Sequence, residues 1–189
     1  MADFPSFDAA NKSNPGHYGP CQTALLLLDF HTLFVERNGG PRARAALEVA
    51  AKLRTWAKSQ DIQVIHGLID LGGGEESAVL RENQDDNEVT FTRTPGHVSA
   101  LRSPGLERFL HEKGIKSLIL TGLSTSGCVL RTALAACDAE YVVSVISDGC
   151  ADPQEDVHDI LINKVLSNRG YVTTAAQFQE GFSNAASSN

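Results

Sequence analysis

The 189-residue chain has no CxxC pair, no run of basic residues and no apolar stretch long enough to cross a membrane, and each absence removes a class of function. Its four cysteines, Cys21, Cys128, Cys137 and Cys150, are scattered, and a chain of this length needs no disulfide to fold. A reducing cytoplasm suits them best. Structural zinc would need clustered Cys or His ligands, whereas His31, His66 and His97 lie far apart in sequence; no metal and no cofactor is expected. The 16 Lys and Arg residues against 23 Asp and Glu leave a net charge of −7, which repels a phosphate backbone, so nucleic-acid binding is not expected. Residues 1–14 contain Asp3, Pro5 and Asp8 and no continuous apolar segment, so neither a signal peptide nor a membrane span is expected.

What is present is an ordinary globular composition, 42% hydrophobic and 21% charged, in a length that suits one domain over residues 1–189. Residues 1–20 read as an N-terminal extension and 180–189 as a frayed tail. Apolar β-type runs occur at Ala24 to Phe30, Ile62 to Ile69, Val89 to Thr92, Ser117 to Thr121, Tyr141 to Ser147 and Tyr171 to Thr174. Between the first two, Ala43, Ala46, Leu47, Ala50, Leu53 and Trp56 repeat at helical spacing, with Arg44, Glu48, Lys52 and Lys58 on the opposite face. Further helices are expected around Leu106 to Leu110, from Cys128 to about Cys137, and over Val157 to Leu166. The last should start with Asp152 as cap, Pro153 in its first position and Glu155 completing a capping box, and should stop at Gly170. A strand as apolar as Leu25 to Leu28 is buried on both faces, and the β-α alternation repeats. The fold class is therefore α/β, a three-layer α/β/α Rossmann-like fold around a central, mostly parallel sheet of about six strands. Asp70 to Glu88, with Gly72 to Gly74 and then Glu75, Glu76, Asp85, Asp86 and Glu88 among its acidic residues, reads as a surface excursion or a flap.

In such a sheet ligands bind beyond the carboxyl ends of the strands, where the strand order reverses. Asp29 ends the first strand, Arg93 follows the third, and Gly122 to Cys128 follows the fourth; in the common doubly wound order the first and fourth strands are neighbours, so Asp29 and Cys128 should face each other. A thiol at a helix N-terminus feels the positive end of the dipole, which should lower its pKa from about 8.5. The free N–H groups of the first helical turn offer a site for an oxyanion. Asp29 interrupts a run of leucines and can exchange a proton with the thiol. Asp148, at another strand end, reads as a loop cap or a weaker acid–base candidate. Cys137 falls half a turn out of phase with Cys128 and should pack in the core.

Leu118 to Ala133, reading LILTGLSTSGCVLRTA, together with Leu25 to Phe30 and Val142 to Asp148, resembles the isochorismatase-like cysteine hydrolases from about Thr23 to Phe178. The resemblance implies a nucleophilic Cys128, Asp29 as general acid–base, and a cis peptide before Ser124 that sets its N–H beside that of Cys128 as an oxyanion hole. The family's third catalytic residue is a lysine, and this chain offers Arg93 in its place. A guanidinium can fix charge there but cannot cycle a proton. The metal-binding nicotinamidase branch is disfavoured because His66 is followed by Gly67 to Asp70. Phe34, His97 and Leu123 are the candidate substrate-binding residues. The implied activity is hydrolysis of a small amide-like substrate through a thioester. The alternatives are vinyl-ether cleavage of isochorismate by acid catalysis and a catalytically silent metabolite binder. A homo-oligomer, dimer or tetramer, is implied as well.

Overall fold

A computed structural model describes residues 18–186. Six strands form one sheet in the order β3-β2-β1-β4-β5-β6: β1 (Thr23–Leu28), β2 (Gln63–Ile69), β3 (Glu88–Arg93), β4 (Ser117–Leu123), β5 (Val142–Ala151) and β6 (Tyr171–Thr173). Every pairing is parallel. Along β1 the side chains alternate between two fully buried layers. Ala24, Leu26 and Leu28 face a core shared with α3 (Leu106–Glu112) and α4 (Leu130–Asp138), while Leu25 and Leu27 face α1 (Ala43–Ser59) and α6 (Ala175–Ala186). The order reverses between β1 and β4, so the expected crevice lies where Asp29 and the segment after Leu123 emerge. Gly122 permits the two strands to meet there: its φ is 158°, and a Cβ would come within 2.5 Å of Leu28 Cβ.

Several local expectations are corrected. Cys150 lies inside β5 beside Gly122, because the register slips after Leu120 and the strand continues to Ala151. Asp148 is therefore within a strand, and its carboxylate accepts the Ala175 N–H (2.8 Å) at the start of α6. Helix α5 (Glu155–Ile160) has Gln154 at its cap; Asp152 is drawn away because its carboxylate also takes the Ser126 N–H (2.7 Å). Cys137 packs against the core shared with α3 and α4 as expected but is only partly buried, its thiol also reaching the Arg169 carbonyl. The tail is not frayed over 180–186, since α6 runs to Ala186 and Phe182 packs on Trp56 and Phe178. The remainder of the tail, and the N-terminal extension up to residue 17, lie outside the described residues.

The segment between β2 and β3 is pinned rather than free. Helix α2 (Ala78–Arg81) follows Glu76, which is buried and accepts from His66 Nδ1 at 2.8 Å. The other ring nitrogen of His66 meets Glu88 at 3.1 Å, and Glu88 is gripped by Arg54 (2.5 and 2.8 Å) and Lys58 (2.7 Å) on α1. Burial opposes ionisation of Glu88, yet these donors outweigh it and hold its pKa at about 2. His66 is likewise opposed by burial and raised by its two carboxylates. The depressed Glu88 stabilises the fold above its unfolded value near 4.5 and loses that contribution as the pH falls toward 2. The raised His66 contributes below 6.5 and is lost as the pH rises through its folded value. Glu88→Gln strands a buried Arg54 and should cost about 3–5 kcal/mol near pH 6. In urea denaturation that penalty should shrink steadily below pH 4.5.

Candidate active site

Asp29 leaves β1 with a φ of 53°, its N–H donating to the Gly67 carbonyl (2.9 Å) and its own carbonyl accepting from His31 (2.7 Å). This tight turn aims the carboxylate over the strand ends. Arg93, the last residue of β3, reaches across the end of β2 and clamps it, with Nη1 to Oδ1 at 2.9 Å and Nη2 to Oδ2 at 2.5 Å. The side chains are only 1% and 5% exposed. Arg93 Nε donates to the His97 carbonyl at 2.9 Å, a third bond that holds the guanidinium in place against the carboxylate.

Cys128 is buried beside this pair. Its thiol lies 3.6 Å from Thr132 Oγ1, one turn along α4. Thr132 accepts the Ala100 N–H at 2.9 Å, leaving its hydroxyl proton available to the sulfur. The expected lowering of the thiol pKa is not found. Burial pushes the Cys128 thiol far up, the Asp29 charge adds to the rise, and Arg93 and Thr132 only partly offset it. The structural reason is that Cys128 does not sit at a solvated helix end but within a buried, distorted turn, Thr125–Val129, that precedes α4.

That turn begins at the Leu123–Ser124 peptide, which is cis. Gly127 departs from helical geometry (φ −97°, ψ −108°). The Ser124 carbonyl accepts from the N–H groups of Gly127 and Val129, both at 3.2 Å, and Asp152 takes that of Ser126. None of these bonds engages the amides of Ser124 and Cys128. Thr125 is held from behind by His158 Nδ1 (2.8 Å). Asp152 and His158, neither a sequence candidate for the site, thus set the backbone that carries Cys128.

The other candidates fall at different places. Phe34 lies at the start of the short wide turn Phe34–Asn38 and presents its ring edge-on to His31 with centroids 5.5 Å apart. His97 is exposed, and it serves the pair through its carbonyl, its ring meeting Thr94. Leu123 packs in the α1-side core, so what it brings to the site is its peptide bond to Ser124. The residue that sequence reading passed over is His31. It is 1% exposed, and its Nε2 lies 4.0 Å from Asp29 Oδ1. Its position two residues after Asp29 is the signal that could have found it. Among the described residues no group of His, Cys, Asp and Glu is arranged to hold a metal, and no helix is long and apolar enough to cross a membrane.

Removing one member of a buried pair leaves the other charge unsatisfied. Arg93→Met should cost about 3–5 kcal/mol in chemical denaturation, and the Asp29→Asn, Arg93→Met double variant clearly less than the sum of the single changes. Additive costs would show that the two residues do not act as a pair.

Residues 23–177 match the family model of the isochorismatase domain. The chain is 25% identical over 177 residues to the maleamate amidohydrolase of Pseudomonas putida, a match covering 80% of this chain and 82% of that protein. An isochorismatase family protein of Burkholderia thailandensis shares the fold at a TM-score of 0.77, with 20% identity over 86% of this chain and 96% of that one. A cysteine hydrolase of Pseudomonas syringae pv. phaseolicola also aligns at 0.77, with 18% identity over 89% and 95%. The chain is a hydrolase of the isochorismatase family.

Proposed function

We propose that the chain hydrolyses a C–N bond in a small amide, with Cys128 as nucleophile and Asp29 as its proton acceptor. The observation that carries this reading is the convergence of a buried thiol and a clamped carboxylate at the sheet's switch point, with the Asp29 charge acting directly on the sulfur. The likeness to an amidohydrolase supports the choice of bond. A thiol held protonated does not react idly; it gives its proton to Asp29 as the sulfur bonds to the substrate carbonyl carbon. The oxyanion formed is received by the amides of Ser124 and Cys128. Collapse breaks the C–N bond, the Asp29 proton leaves on nitrogen, and a thioester remains for water to cleave. Arg93 carries no proton in this scheme. It holds Asp29 in place and balances its charge once ionised.

Wild type, Cys128→Ala and Asp29→Asn would be offered a panel of small amides, maleamate among them, and isochorismate. Expected are release of ammonia and a covalent adduct on Cys128 by intact mass, with turnover reduced at least about 10³-fold in both variants. Turnover that survives Cys128→Ala but not Asp29→Asn would overturn the nucleophile and favour acid-catalysed vinyl-ether cleavage.

A further inference from the structure

In the proposed acylation Asp29 carries the thiol proton to the leaving nitrogen, and hydrolysis of the thioester then needs a base that takes a proton from water. Arg93, clamped on both oxygens of Asp29, cannot exchange a proton, so a second group that can must stand elsewhere beside the carboxylate. Three described residues hold buried side-chain polar atoms without a hydrogen-bond partner among the described residues, namely His31, Ser103 and Ser144. Of these only His31 adjoins Asp29. Both of its ring nitrogens are unpaired although the residue is 1% exposed. A buried imidazole is costly to leave this way, so its nitrogens are fitted to a polar group that enters the site.

Its placement is well determined. The His31 N–H donates to the Asp29 carbonyl, and its backbone pairs with Glu76 in an isolated antiparallel bridge. Thr32 N–H donates to the Glu75 carbonyl (3.0 Å) and Ser77 N–H to the Phe30 carbonyl (2.8 Å). The Glu76 carboxylate is turned to His66 and is therefore not available to the His31 ring. Asp29 stands beside the ring, Arg93 is bound to that carboxylate, and the Phe34 ring packs perpendicular to the imidazole. The 4.0 Å between Nε2 and Asp29 Oδ1 is too long for a direct hydrogen bond, and it suits a single water touching both atoms.

We infer that His31 is the catalytic residue of deacylation, the general base that activates the hydrolytic water. This rests on the cysteine-thioester reading above. When the amine has left, water enters between His31 and Asp29. Its O–H bond breaks toward His31 Nε2 as its oxygen bonds to the acyl carbon. The C–S bond then breaks, the acid departs, and the imidazolium proton returns to the Cys128 sulfur through Asp29. Thioester and water become acid and thiol, with imidazole and carboxylate restored. An imidazole ring nitrogen can take a proton and give it up again, which is what a base for this step requires.

The two half-reactions separate with p-nitrophenyl acetate, which acylates a reactive cysteine and reports each acylation as nitrophenolate. Wild type and His31→Gln should both show a burst of one equivalent per chain, absent in Cys128→Ala. After the burst, turnover in His31→Gln should fall about 10²-fold or more, with the acetyl group persisting on Cys128 by intact mass. His31→Asn, which also keeps polar character without titrating, should behave alike and stands in if the glutamine does not fold. Post-burst turnover within threefold of wild type, or equal loss of burst and turnover, would overturn the role of His31 while leaving the nucleophile intact. A wild type with no burst dependent on Cys128 would instead bring down the cysteine-thioester reading itself.

Discussion

A carboxylate and a guanidinium almost shut off from water hold the carboxyl ends of β1 and β3 together over the end of β2. Such a pair repays its desolvation only with good geometry, and here two parallel N–H···O bonds are backed by a third from Arg93 Nε to the His97 carbonyl. The rest of the site is arranged around that pair. The left-handed turn at Asp29 points the carboxylate inward, the third strand must extend to Arg93, and the loop at Thr94 to His97 must fold back to offer its carbonyl. Cys128 comes to the same place from the other side of the switch point, carried by a turn whose shape is set by Asp152 and His158.

Electrostatically the pair presents the thiol with a carboxylate nearer in effect than its cation, and with almost no water. Both keep the proton on sulfur in the resting protein. On the proposed reading this gives a nucleophile that forms only as it attacks, and it divides the work that a titratable amine would do. Arg93 fixes the charge, and a group able to exchange protons must be found elsewhere, which directs attention to the unpaired ring of His31. In the segment 71–87, Glu76 ties the His31 backbone to the buried His66–Glu88–Arg54 network.

Much of this was legible in the sequence. Four consecutive leucines announce a strand buried on both faces, the β-α alternation announces the parallel sheet, and the switch-point rule sets Asp29 opposite Cys128 and names Arg93 at a neighbouring strand end. The cis peptide before Ser124 followed from the resemblance. What stayed hidden were partnerships made only by tertiary contact. Arg54 lies on α1, 34 residues from Glu88, and periodicity could not show that its charge would be buried. Asp152 fitted a capping box, but Ser126, 26 residues earlier, claimed its carboxylate. The direction of the Cys128 shift was misread because the helix dipole is local and visible in sequence, whereas burial within the Thr125–Val129 turn is not.

The central claim, that burial and the Asp29–Arg93 pair keep Cys128 a thiol, is tested most directly by titrating the thiolate through its ultraviolet absorbance in a chain with Cys21→Ser, Cys137→Ser and Cys150→Ala. The account predicts no thiolate signal as the pH passes the ordinary cysteine value near 8.5, and a downward shift of the titration once Asp29→Asn is introduced. A Cys128 that ionises at or below that ordinary value, unmoved by Asp29→Asn, would contradict it.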